Sequence, residues 1–439
     1  MRIKKAGMIF LIFLVSLTFL TGCRDNEEIG TSATGVTTIE FWTAPNPPQQ
    51  KYWEQMAREF EKENPDIKVV VTPMKETPSS EAYVISALIG GKGPTLAENI
   101  SRGFAAQLAE SRVLEPLNSL RNLNVIQSRK MEKTMKAWVF PDGNQYVIPV
   151  YSNSMLVGWR IDILREIGYD QPPETYSEII EVTKKLKAKY PDKYFWAKAD
   201  LADPTAWKRW FDFFLLYHAA SNGNALVQGN RFIADKEAGM KVFQFMLDLN
   251  KEKGLLSKQV KDPFETGIGI FTDLGPWTFS YWKEKFPEMK LNETFTLAPP
   301  PVPDGMKAEH PKTFADSKGI VLFSQKSEAE KRAAIRFLNW VYKDHKHDLT
   351  LMETTLMPAA RDDLLSNETF RPFFEQNPVL KPYAEAVPDG VPVMANPKYN
   401  HIQTIIGQQA FNQVVKGKKT ADRAWTDMKK EIEEVLEDE

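Results

Sequence analysis

Thr37-Thr-Ile-Glu-Phe-Trp42, the spaced set Trp53, Met56, Ala57 and Phe60, and Ile67-Lys-Val-Val-Val71 together decide the fold. The first run is rich in β-branched and aromatic residues and reads as a strand. A Pro/Asn loop from Ala44 to Pro48 follows it. The spaced set falls at i, i+3, i+4 and i+7, one apolar face of a helix. Asn64-Pro65-Asp66 stops that helix, because proline disfavours helical backbone in the residue before it. The last run is apolar apart from Lys68, as a strand buried on both faces requires. Strand, helix and buried strand in succession predict an α/β sheet.

Before residue 37 the chain reads differently. Arg2, Lys4 and Lys5 precede an apolar run, Ala6 to Leu20, too short for a membrane span and suited to a signal segment. The single cysteine of the 439 residues, Cys23, closes Leu20-Thr21-Gly22-Cys23, which resembles a bacterial lipobox. That resemblance implies cleavage of residues 1–22 and lipid attachment to Cys23. Residues 23–36 are small and polar and read as a lipidated flexible tether. Disulfides are excluded by the cysteine count.

The formal charge is −2, and the leader holds three of the positive residues, so the body is more acidic still. Nothing suggests a nucleic-acid partner. Beyond residue 71, the sequence predicts helices over Ser80–Ile89, Thr175–Tyr190, Trp207–His218, Ala238–Leu249 and Ala421–Leu436. Strands are expected at Gly267–Asp273, Thr296–Pro303 and Gly319–Phe323. No repeat or low-complexity segment appears in the body.

Chemistry-bearing motifs are scarce. Gly90-Gly91-Lys92-Gly93 lacks the upstream glycine and following Ser/Thr of a phosphate loop and reads as a helix-ending turn. His345 and His347 do not share a helix face, so a solvated charged loop is expected and no metal. Gly-x-Ser-x-Gly and His-Glu-x-x-His are both missing. The three Asn-x-Ser/Thr matches, at Asn99, Asn292 and Asn367, are chance. Acidic residues are numerous enough that a carboxylate pair for glycoside hydrolysis stays open. No catalytic residue and no cofactor are assigned.

Four ordered stretches resemble the family 1 extracellular solute-binding proteins of ABC importers, the maltose-binding-protein-like group. They are Ile39-Glu-Phe-Trp42 through Val71; Gly93-Pro94-Thr95 through Val113-Leu-Glu-Pro-Leu117; Tyr146-Val-Ile-Pro-Val-Tyr151 through Trp159-Arg-Ile-Asp-Ile-Leu164; and Gly275-Pro276-Trp277 through Met357-Pro-Ala-Ala-Arg361. Departures occur at Thr95, where the family has aspartate, at Trp159-Arg160-Ile161-Asp162, and at Asp316-Ser317-Lys318-Gly319.

The resemblance implies a two-lobed α/β periplasmic-binding-protein fold, type II-like, with the ligand cleft between lobes. It places 37–149 and 298–342 in the N-terminal lobe, and 150–297 and 343–439 in the C-terminal lobe. Crossovers are implied at Tyr146–Asn153, at Thr296–Pro300 and near Trp340–Lys343. Ligands of open α/β sheets gather at the carboxyl ends of strands.

Trp277, after Gly-Pro at a strand end, is the leading ligand contact. Trp42 is divided between core and site, and Asn46 follows it in the loop. Asn99, Ser101 and Arg102 lead into the next helix; Tyr151 and Asn153 follow the first crossover. Asp203, Trp207 and Tyr399 complete the set, with Trp210 assigned to the core.

The function implied is a lipid-anchored binder of a carbohydrate or oligosaccharide, a monomer, delivering its solute to membrane permease subunits. An acidic saccharide is a variant suggested by Arg102, Arg160, Lys208 and Arg209. An exported polysaccharide-processing enzyme and a structural surface lipoprotein are rivals of other classes.

Overall fold

The computed structural model describes residues 35–438, apart from 78, 197, 199–208, 257 and 307–309. The signal segment, Cys23 and nearly all of the tether lie outside the described residues. Strands in chain order are β1 (Thr37–Thr43), β2 (Ile67–Pro73), β3 (Leu96–Ser101), β4 (Ile148–Tyr151), β5 (Leu156–Trp159), β6 (Tyr194–Trp196), β7 (Val227–Gln228), β8 (Arg231–Phe232), β9 (Gly269–Leu274), β10 (Thr296–Ala298), β11 (Thr313–Ala315), β12 (Lys318–Leu322) and β13 (Gly390–Pro392).

They form two main sheets. The first has the order β2-β1-β3-β12-β4, the second β10-β5-β9-β6. β1 runs parallel to β2 and β3, whereas β12 is antiparallel to β3 and β4. In the second sheet β5 is antiparallel to β10 and β9, and β6 is parallel to β9.

Helix α1 (Pro47–Glu63) starts where Asn46 accepts from the Gln49 amide and prolines open the first turn. It buries Trp53, Met56, Ala57 and Phe60. Trp53 meets Phe41 edge-on at 4.7 Å, and Phe60 meets Phe337 of the Glu328–Lys343 helix at 5.2 Å. At the second sheet the packing centres on Trp159, Phe195 and Phe271, all within 5.5 Å of one another by ring centroids. α2 (Ser80–Ile89) ends at Gly90, followed by Gly91 at φ 65°, a turn and no phosphate cradle.

Short straps join the sheets. Ser152–Met155 carries β4 into β5, and Asp316–Ser317 carries β11 into β12. The two straps bond to each other: the Met155 amide donates to Phe314, the Asp316 amide to Asn153, and the Ser317 hydroxyl to Ser152 at 3.2 Å.

The return to the first sheet therefore comes later than the expected Thr296–Pro300. Those residues include β10, paired with β5, and Val302 bonds Glu174 and Tyr176 beside the second sheet. The third passage also comes later than Trp340–Lys343. The His345–Thr355 helix packs on α1, and Ala359 bridges Tyr151. By Tyr383, whose hydroxyl donates to the Leu274 carbonyl, the chain has reached the second sheet.

His345 and His347 open that helix instead of sitting in a loop. His347 Nδ1 lies 2.7 Å from the Val341 carbonyl and His345 Nδ1 3.0 Å from Asn367. Among the described residues no group of three or more His, Cys, Asp or Glu could hold a metal ion.

Candidate functional site

Strand register brings two sheet edges together at the straps. In the first sheet Lys318 is opposite both Ser101 and Tyr151, so β3 and β4 end, and β12 begins, at one edge. In the second sheet Leu156 is opposite Leu274, so the strap from β4 enters where β9 leaves for Gly275-Pro276-Trp277. Asn153 lies on that strap, and the ends of β3 and β9 flank it.

Trp277 is 46% exposed, although it is among the largest side chains of the protein. Its indole folds back over Gly275, where a Cβ would stand 2.2 Å from the ring. The Gly-Pro-Trp sequence thus sets the six-membered part of the indole against Gly275 and leaves nearly half of the side chain exposed. Asn153 is buried to 2%, yet its Oδ1 has no hydrogen-bond partner, and its Nδ2 reaches only the Met357 sulfur at 3.7 Å. Buried amide oxygens are nearly always satisfied, so an orphan at a sheet edge points to a missing partner.

The remaining expected contacts are placed as follows. Asn99 sits at φ 65° in β3, where three steps of β3 oppose two of β12, a bulge that turns the strand end. Ser101 caps α3 (Arg102–Glu110) by accepting from the Phe104 amide. Asn46 is likewise engaged as the cap of α1. Trp42 is buried and stacked under Tyr83 of α2 at 4.8 Å. Tyr151 is enclosed in β4, and burial raises its phenol well above the ordinary value.

Tyr399 is buried too. Its hydroxyl donates to Glu81 of α2, and its ring presses on Gly103, where a Cβ would clash at 2.5 Å. Arg102 points its Nη2 to the Val139 carbonyl and lies over Phe140 at 5.6 Å. Asp203 and Trp207 lie outside the described residues, and the helix expected from Trp207 is described from Arg209 to Ala220. Lys198, just before that segment, pairs with Asp212 at 2.6 Å and Asp273 at 3.0 Å, which ties it to the end of β9.

Sequence reading missed Glu98. It is fully buried on β3, its carboxylate accepting from the Ala44 amide at 2.8 Å and from Gln49 at 2.6 Å. It pins the loop after β1, and burial raises its pKa despite those bonds. No local pattern marks it, because its partners lie about fifty residues upstream. Glu81 and Tyr83, which bond Tyr399 and stack on Trp42, carry no local signal either.

A family model described as bacterial extracellular solute-binding protein matches residues 55–381. The chain belongs to that family. It is 54% identical to the solved uncharacterized protein lmo0859 from Listeria monocytogenes EGD-e, with a TM-score of 0.88 over 91% of this chain and 100% of that one. It shares its two-lobed fold with the cyclic alpha-maltosyl-1,6-maltose binding protein of Arthrobacter globiformis (19% identity, TM-score 0.78, 92% and 99% covered). The same holds for the sugar-binding protein MalE of Xanthomonas citri (18%, 0.73, 91% and 97%). Among curated proteins it matches the sn-glycerol-3-phosphate-binding periplasmic protein UgpB of Escherichia coli (strain K12), 26% identical over 163 residues. That match spans 36% of this chain and 37% of the relative, so the chain covers little more than a third of the curated relatives' length. The family consists of binding proteins. Among the described residues no helix is long and apolar enough to cross a membrane.

Proposed function

We propose that this chain is the carbohydrate-binding subunit of an ABC importer. It takes a saccharide between its lobes, closes on it, and presents it to membrane permease subunits while lipid on Cys23 keeps it near them. The observation that carries the reading is the half-exposed Trp277 set against Gly275 just beyond β9, together with the unpartnered Asn153 Oδ1 on the strap that enters β5 opposite the end of β9. A sugar ring has an apolar C–H face suited to an indole and hydroxyls that donate to an amide oxygen. Solved neighbours named for maltose, maltotetraose and cyclic maltosyl-maltose binding support the same solute class. The straps are suited to hinge closure, since few residues would absorb the rotation.

Two of the arginines that argued for an acidic saccharide are engaged elsewhere. Arg160 holds Asp162 at 2.6 Å and the carbonyls of Phe264 and Glu265, and Arg102 faces Val139 and Phe140. A neutral saccharide is therefore favoured.

The test is calorimetry of the mature protein with maltose, maltotetraose, an oligo-uronate and glycerol 3-phosphate, and chromatography of each solute afterwards. Saturable binding of a neutral saccharide returned unchanged supports the proposal. Release of a cleaved product, or binding of glycerol 3-phosphate alone, rejects it.

A further inference from the structure

The two lobes also touch away from the straps. In the first sheet β3 lies between β1 and β12, and only β12 and β4 lead into the straps. Glu81 and Gly103 belong to this lobe. α2 packs on β1 through the stacked rings of Tyr83 and Trp42, and α3 follows directly from β3. Tyr399 belongs to the other lobe. Its helix, Tyr399–Thr404, runs on into residues 405–411, where Phe411 meets Phe213 of the Arg209–Ala220 helix at 6.3 Å. Phe213 meets Phe243 of the Lys236–Lys251 helix at 5.4 Å, and Phe245 of that helix stacks on Tyr176 at 4.1 Å beside the second sheet.

Tyr399 is nonetheless 5% exposed, because the first lobe covers it. Its ring lies on Gly103, where a Cβ would stand 2.5 Å away, so only glycine lets the two helices come this close. Its hydroxyl donates to the Glu81 carboxylate, a charge-assisted bond. Burial first, and then the Glu81 charge, raise the phenol above its ordinary value, so it stays a donor at physiological pH. Arg102, next to Gly103, and Ala395, four positions before Tyr399, both line the cavity of about 430 Å³ between the lobes. A rotation at the straps that widens this cavity therefore parts Tyr399 from Gly103 and Glu81. Every atom of the contact belongs to the chain, so its free energy is the same whichever solute is bound.

We propose that Tyr399, Gly103 and Glu81 form a latch between the lobes, adding to closure a fixed free energy that no solute supplies. Apparent affinity scales with the population of the binding-competent form, so the latch moves the affinity for every solute by one factor. It sets affinity without setting specificity, whereas a solute contact sets both. The inference rests on the lobe closure proposed above and not on the identity of the solute.

The test uses the chain from residue 23 with Cys23→Ser, spin-labelled through Lys62→Cys on α1 and Lys430→Cys on the Ala421–Glu437 helix, both exposed positions. Tyr399→Phe keeps the ring and removes the bond; Glu81→Ala removes the acceptor; Gly103→Ala drives the ring away. Each should add a second component to the label distances in electron–electron resonance, Gly103→Ala the largest. The unlabelled variants should show a larger radius of gyration in small-angle scattering. Tyr399→Phe combined with Glu81→Ala should shift no further than either alone, since both remove one bond. In calorimetry Tyr399→Phe should weaken every solute that the wild type binds by one shared factor, about tenfold. Circular dichroism reports whether each variant is folded. Distances and radius unchanged in all three variants overturn the latch. So does weakening of one solute with the others unaffected, which makes Tyr399 a solute contact. If the wild type binds no saccharide, the proposed function falls by itself and the distances still decide the latch.

Discussion

Trp277 and Glu98 show how differently two residues at neighbouring sheet edges act. Trp277 has little packing to lose, so Trp277→Ala should leave the melting temperature within a degree or two and weaken saccharide binding at least tenfold, about 1.4 kcal/mol, as read by calorimetry and thermal melts. Glu98 is buried with its folded pKa raised above the unfolded value of about 4.3. The folded state therefore holds the proton more tightly. The stability Glu98 contributes is present below its unfolded pKa and is lost as pH rises through the folded pKa. Glu98→Gln keeps an acceptor for the Ala44 amide without a charge to bury. The variant should match the wild type near pH 4 and become the more stable of the two toward pH 8, in urea denaturation followed across that range. A gap that widens in the opposite direction contradicts the assignment.

Elements are held to one another by contacts that tolerate little change. Arg129, Asp348 and Arg361 form a buried ionic cluster. Asp348 takes Arg129 at 2.8 Å and Arg361 at 2.9 Å, and Arg129 also donates to the carbonyls of Pro149 and Val150 at the end of β4. The cluster fastens the His345–Thr355 helix and the Met357–Arg361 run beside the first strap. Asp348→Ala would leave two guanidinium groups enclosed with one fewer partner, and should cost about 3–5 kcal/mol in urea unfolding. Gly103 is the second such point. Gly103→Ala drives a methyl into the Tyr399 ring, so α3 and the 399–404 helix must separate, costing about 1–3 kcal/mol. Tyr399→Phe should be far milder, since it removes only the bond to Glu81. The ratio of the two effects, measured by denaturation, separates packing from hydrogen bonding at this contact.

At the scale of the molecule, the proposed function has two lobes on short straps closing as solute binds, and a bound solute would then stabilise the folded protein by mass action. The proposed lipid anchor at Cys23 lies fourteen positions ahead of β1, so it is open to a test apart from solute binding. Cys23→Ser should release the protein from membranes on fractionation, with solute affinity unchanged by calorimetry. Loss of affinity in that variant would mean the cysteine acts in the folded body.

The strand–helix–strand opening, the stop at Asn64-Pro65, the turn after Ile89 and the exposed tryptophan after Gly-Pro were legible in the sequence by itself. Each depends on neighbours a few residues away, through side-chain period, capping and backbone preference. Other features were decided only by the tertiary structure. The bulge at Asn99 exists because β12 pairs beside β3. The late crossing at Asp316–Ser317 follows from β10 choosing β5 as its partner. Trp42 stacks under Tyr83 of α2, Tyr399 presses on Gly103 of α3, and Arg102 donates to the Val139 carbonyl while lining a cavity. A local pattern can say that a residue is aromatic, charged or at a strand end. Which neighbour it meets depends on chain segments tens to hundreds of residues away, brought together by burial of apolar surface and by strand register.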